Sequence, residues 1–143
     1  MNIAIGSDHA AFERKNVLKS RLEELGHTVT DYGAHSEESM DYPAVARPLC
    51  EAVAHGEHGM GVLVCGTGVG MSIAANKVRG VRCALCADVT SARLTREHND
   101  ANVLAMGART LGELCAIDIL TTFVTTAFSG DERHARRIAM LEL

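Results

Sequence analysis

The segment Cys65-Gly66-Thr67-Gly68-Val69-Gly70 combines residue types that could do chemistry together. An apolar run, Val62-Leu63-Val64, leads into the cysteine, and Met71 to Lys77 reads as the helix beyond the loop. Glycines at 66, 68 and 70 let the backbone turn sharply and leave its N–H groups uncovered. Set at the positive end of a helix dipole, such N–H groups can hold an anion or a developing oxyanion. A cysteine at the strand end feels the same field, which favours thiolate over thiol. A base beside an anion hole points to chemistry rather than to simple binding.

Other polar residues gather at element junctions. Asp8 and His9 follow the first apolar run directly, and Asp8 is also spaced to cap a helix beginning near Ala10. Asp41-Tyr42-Pro43 opens another helix, either as a plain turn with an Asp cap and Pro at the first position or as a functional pair, Asp41 and Tyr42. His98-Asn99-Asp100 ends a helix, where a histidine is a favourable dipole partner, but Asn102 extends it into an unusually polar strand entry. In the tail, Arg133 and Arg137 stand i, i+4, and two neighbouring guanidinium forks match a phosphate. A solvated helix face or a salt bridge to another subunit would show the same pattern. His27, His35, His55 and His58 fall in loops without such neighbours and read as surface residues.

The elements that must position these residues alternate along the chain. Short, nearly continuous apolar runs predict strands at Asn2 to Gly6, Thr28 to Tyr32, Gly61 to Val64, Val81 to Cys86 and Asn102 to Met106. Such runs belong to strands covered on both faces, as in a parallel sheet. Between them, Ala11, Leu18, Leu22 and Leu25 share a helical face that ends at Gly26. Further helices are expected from Pro43 to about His55, Met71 to Lys77 and Ser91 to Glu97. A last one would align Leu114, Ile117, Leu120, Val124 and Phe128. Regular βα alternation without a linker predicts one domain over 1–143, a three-layer α/β/α sandwich around a Rossmann-like five-stranded parallel sheet. Ligands in such folds sit at the carboxyl ends of the strands. That rule places Ser7-Asp8-His9, Tyr32-Gly33, Cys65-Gly66-Thr67 and the start of the last helix on one rim, where His98-Asn99-Asp100 is also expected.

Composition narrows the function classes. The formal charge of −4 speaks against nucleic acid as a partner, so an anionic ligand needs a local cationic cluster. With three Phe, two Tyr and no Trp, the core must be aliphatic. Five cysteines form no disulfide framework; Cys83 and Cys86 have CxxC spacing inside an apolar run and read as small core residues. No metal-ligand cluster is evident. Met1 to Ile5 has no basic leader, and no run is long enough to span a membrane, so a cytoplasmic protein is expected.

Taken together, Gly6-Ser7-Asp8-His9, Asp41-Tyr42-Pro43, Cys65 to Gly70, Ser72 to Lys77, Arg96 to Arg109 and Arg133-His134 resemble type B ribose-5-phosphate isomerase. That family also contains galactose-6-phosphate and allose-6-phosphate isomerases, and the likeness runs in order through essentially the whole chain. The resemblance implies Cys65 as the base moving a proton between C1 and C2, with Thr67 assisting at the sugar oxygens. It implies an enediolate hole from the backbone of Gly66, Gly68, Val69 and Gly70. His98 would open the furanose ring, and Asp8 would meet a substrate hydroxyl. His9, Arg109, Arg133 and Arg137 would bind phosphate, and Asn99, Asp41 and Tyr42 would contact substrate. It also implies a homodimer, in some cases a dimer of dimers, with the active site at the subunit interface, and no cofactor or metal. Ser7 stands where relatives often have Cys. Relatives without the cysteine use a glutamate on the loop after the third strand; here Met71 follows Gly70, leaving Cys65 as the candidate.

Two other classes fit parts of the pattern. A non-catalytic phosphate or nucleotide module could use the same loop, but GTGVG matches neither a Walker loop nor a dinucleotide fingerprint cleanly. A thiol redox or acyl-transfer protein would need a resolving cysteine or a His–acid pair beside Cys65.

Overall fold

The computed structural model describes residues 1–142. Five strands form one sheet: β1 (Asn2–Ser7), β2 (Thr28–Asp31), β3 (Met60–Cys65), β4 (Cys83–Leu85) and β5 (Val103–Gly107). Their order is β2-β1-β3-β5-β4, and every pairing is parallel. Six α-helices connect and flank them: α1 (Phe12–Glu24), α2 (Pro43–Ala54), α3 (Val69–Asn76), α4 (Val89–Asn99), α5 (Glu113–Thr125) and α6 (Glu132–Leu141). This is the expected three-layer sandwich.

Alternate strand residues feed two cores. Ile3, Ile5, Val62, Val64, Leu104 and Met106 pack with Leu18 and Leu22 of α1, Ala92 of α4 and Ile119 and Phe123 of α5. Ala4, Leu63, Cys65, Val103 and Ala105 face the other way, onto α2 and α3. The period of two thus sends the Cys65 side chain toward the α2–α3 layer.

Three expectations need correction. The fourth strand is shorter than 81–86 because Val81 N–H turns back to the Val78 carbonyl and Arg82 N–H donates to Asn102 Oδ1 at 2.8 Å. On α5 the buried face is Ala116, Ile119, Leu120, Phe123 and Val124; Leu114 is 78% exposed, and the helix ends before Phe128. A helix this apolar has no single obvious face, so the sheet selects one. His58 is buried, with Nε2 2.8 Å from Tyr32 Oη, and is no surface residue.

The free edge of β4 is partly capped from within. Cys83 N–H donates to Asn76 Oδ1 at 2.9 Å, and Asn76 Nδ2 donates to the Cys83 carbonyl at 3.0 Å.

Candidate active site

At the carboxyl edge of the sheet, β3 delivers Cys65 to the head of α3. Gly68 N–H donates to Cys65 Sγ at 3.1 Å, a contact that a thiolate accepts more strongly than a thiol. Gly68 is the N-cap of α3 at φ 78°, and a Cβ there would lie 2.6 Å from Leu85 Cδ1 and 2.7 Å from the Met106 carbonyl carbon. Only glycine combines that conformation with that proximity. Gly70 is required for a different reason: a Cβ would strike the Tyr42 ring at 2.6 Å. Thr67 Oγ1 accepts Val69 N–H at 3.2 Å, which fixes the hydroxyl beside the loop. Arg109 N–H donates to the Gly66 carbonyl, and its guanidinium lies against Gly66.

The neighbouring strand end supplies Asp8 and His9. Asp8 Oδ1 accepts Ala11 N–H at 3.1 Å and caps a short 3-10 turn, so the capping reading holds for one carboxylate oxygen. Met40 N–H donates to His9 Nδ1 at 3.1 Å. A backbone N–H can only donate, so the proton of the neutral ring sits on Nε2 and is free to face a ligand.

The remaining predicted residues lie elsewhere, and here the one-rim expectation fails. His98 and Asn99 end α4, which runs antiparallel to the strands and delivers them to the amino edge, just before β5. The Leu114 helix expected from sequence, α5, does start at the carboxyl edge after β5, whereas α6, which carries Arg133 and Arg137, starts at the amino edge, where Ser129 N–H donates to the Glu97 carbonyl. Gly61 pairs with Val103 and Cys65 with Gly107, so the two edges stand four strand residues, about 13 Å, apart. His98 stacks on His134, ring centroids 4.3 Å apart, and Arg133 Nη2 lies 3.4 Å from His134 Nε2. Arg133 and Arg137 are exposed on α6. Asp100, left-handed at φ 44°, closes α4 and is held by Arg96 Nη1 at 2.7 Å and, through its carbonyl, by Arg82 Nη2 at 2.9 Å. Two clefts touch only the margins of these groups: one of about 440 Å³ is lined by Asn99 but not His98, and one of about 550 Å³ by Tyr42 and Gly70 but not Cys65.

His134 belongs to the Arg133-His134 pair that carries the resemblance but has no role assigned from sequence, and the buried Lys15 is not singled out there at all. Lys15 carried a signal, since it falls on the stripe of Ala11, Leu18 and Leu22. All five cysteines are free. Burial, then Glu51, pushes the Cys50 thiol up to about 12; burial, then Asp88, pushes Cys86 up to about 11. Cys83 is raised further, again chiefly by burial. These are packing thiols, and they offer no ready resolving partner for Cys65.

Comparison with known proteins identifies the family and the fold. Residues 3–141 match the family model described as Ribose/Galactose Isomerase. Ribose-5-phosphate isomerase B of Escherichia coli is 45% identical over 136 residues, 95% of this chain and 91% of the relative. D-erythrulose-4-phosphate isomerase of Pectobacterium atrosepticum is 44% identical over 131 residues, 91% of this chain and 86% of the relative. The solved type B ribose 5-phosphate isomerase of Trypanosoma cruzi superposes with a TM-score of 0.97 at 46% identity, covering 99% of this chain and 96% of that one. The chain belongs to the ribose/galactose isomerase family and is an aldose–ketose isomerase.

Proposed function

We propose that this enzyme interconverts ribose 5-phosphate and ribulose 5-phosphate through a cis-enediolate, with Cys65 as the base. The observation that carries the reading is the placement of Cys65 Sγ against the Gly68 N–H at the head of α3. Aldose–ketose exchange needs a proton taken from a carbon beside a carbonyl, which requires a base in reach and a stabilised enediolate. The Cys65 thiolate removes the C2 proton of the open aldose and returns it to C1. The backbone N–H groups of Gly66 and Gly70 hold the negative oxygen, joined by those of Gly68 and Val69 as they turn from Cys65 Sγ, now a thiol, and from Thr67 Oγ1 to the substrate. Thr67 passes the remaining proton from O2 to O1, which completes the exchange without other reactants.

The working unit is a homodimer in which the His98 edge of one subunit faces the Cys65 edge of the next. A two-fold arrangement of that kind builds two equivalent sites. In it, Asn99, Arg133 and Arg137 join Asp8, His9, Arg109, Asp41 and Tyr42 around one sugar phosphate. Two features support this: the separation of the half-sites, and an exposed apolar surface of Val69, Ile73, Leu85 and Val89 around α3. His98 opens the furanose ring, Asp8 holds a hydroxyl, and the cationic groups take the phosphate. Phosphate binding serves positioning, since the phosphate is remote from the reacting carbons.

The relative named for a tetrose phosphate keeps a second substrate in view. A coupled assay presenting ribose 5-phosphate, allose 6-phosphate, galactose 6-phosphate and erythrulose 4-phosphate side by side tests the assignment. The largest kcat/KM is expected on ribose 5-phosphate; a larger value on another sugar phosphate replaces it.

A further inference from the structure

Lys15 is fully buried in the first turn of α1. Its ammonium donates to Asp31 Oδ1 at 2.9 Å and to the Ala34 carbonyl, and lies 5.2 Å from the centre of the Phe12 ring. Asp31 Oδ1 also accepts Gly33 N–H at 2.8 Å, so one ion pair grips both ends of the turn after β2. That turn is tied to the active edge. Ser7 N–H donates to the Gly33 carbonyl at 2.6 Å, and Ala34 N–H to the Ser7 carbonyl at 2.7 Å. Asp8 and His9 come next. From Ala34 the chain runs on to Met40, whose N–H sets the His9 tautomer. Stability does not explain the pair, because replacing a buried ion pair with apolar side chains is often neutral or favourable.

We propose that Lys15 is a positioning residue: it holds the 31–40 segment so that His9 presents Nε2–H to the substrate phosphate. The inference rests on the sugar-phosphate reading above and adds a residue to it. Lys15 touches neither the Cys65 loop nor α3, so its loss should affect binding more than the proton transfer.

Lys15→Met keeps the length and apolar stem and removes the donor. Asp31 retains the Gly33 N–H and has Lys19 at 4.0 Å, so the variant is expected to fold, with a melting temperature lowered by several degrees because one partner of a buried pair is removed. KM for ribose 5-phosphate should rise about tenfold while kcat changes less than threefold, and Lys15→Arg should recover most of the loss. Imidazole ¹⁵N NMR reads the geometry directly: His9 should be the Nε2–H tautomer in the parent and a mixture in Lys15→Met. An unchanged KM with an unchanged His9 spectrum overturns the proposal. So does a parallel fall of kcat, kcat/KM and melting temperature, which would mark Lys15 as structural only. If the parent turns over no sugar phosphate, the functional reading fails instead, and the His9 spectra still decide the role of Lys15.

Discussion

Cys65 is asked to do one thing, and its removal should show one thing. Cys65→Ala is expected to lower kcat by at least a thousandfold while the inhibition constant for inorganic phosphate stays within about threefold; steady-state kinetics with phosphate as inhibitor checks both. Substantial turnover in the variant would reject the cysteine as base. His98→Ala should slow ribose 5-phosphate, which must open a ring, far more than a four-carbon aldose phosphate that cannot close one. Equal losses on the two substrates would leave His98 as a binding residue only. His134 supplies a pH dependence of stability. Burial first, then the nearby His98 and Arg133, hold its imidazole below the ordinary histidine range. Once unfolded it titrates near 6.5, so below about that pH the unfolded chain binds more protons than the fold, and stability falls with pH. Denaturation midpoints measured between pH 7.5 and 5.5 should decline less steeply in His134→Gln; an identical slope would dismiss this contribution.

At the scale of elements, the join between β3 and α3 is the exacting one. Gly68→Ala would force a side chain into a left-handed position against Leu85 and the Met106 backbone. The N–H at the sulfur would move with it. If the loop stabilises the enediolate, losing one donor costs about 2.7–4 kcal/mol of barrier, a hundredfold or more in kcat. Retained kcat in a folded Gly68→Ala protein would argue against the hole. Strand positions were readable from sequence because continuous apolar runs between turn residues leave few alternatives. The Cys65 loop, Asp8 and His9 were readable as neighbours because parallel strands end together. His98 was misplaced on the same rim because a helix returning from strand to strand ends at the opposite edge. Lys15 was missed because a lysine among leucines reads as a solvated residue until Asp31 and the Ala34 carbonyl are brought to it by tertiary folding.

For the whole molecule, the separation of the half-sites makes a prediction that does not require a structure of the assembly. Cys65→Ala disables one edge and His98→Ala the other. If sites form between subunits, unfolding the two variants together and refolding them should restore activity. Random pairing makes half the dimers mixed, each with one intact site of two, so about a quarter of parent activity is expected. No recovery after mixing, with subunit exchange verified by mass spectrometry, would place the complete site within one chain.

The Asn76 amide, paired with both backbone groups of Cys83, bears on how the protein survives rather than on how it works. An open strand edge is a template for uncontrolled growth, and a newly made chain must carry β4 through synthesis as an exposed edge. A side chain that imitates the next strand occupies the template's hydrogen bonds during that interval. Its value would be felt as yield, shelf life and resistance to fibril seeding, quantities on which the turnover of a purified enzyme is silent.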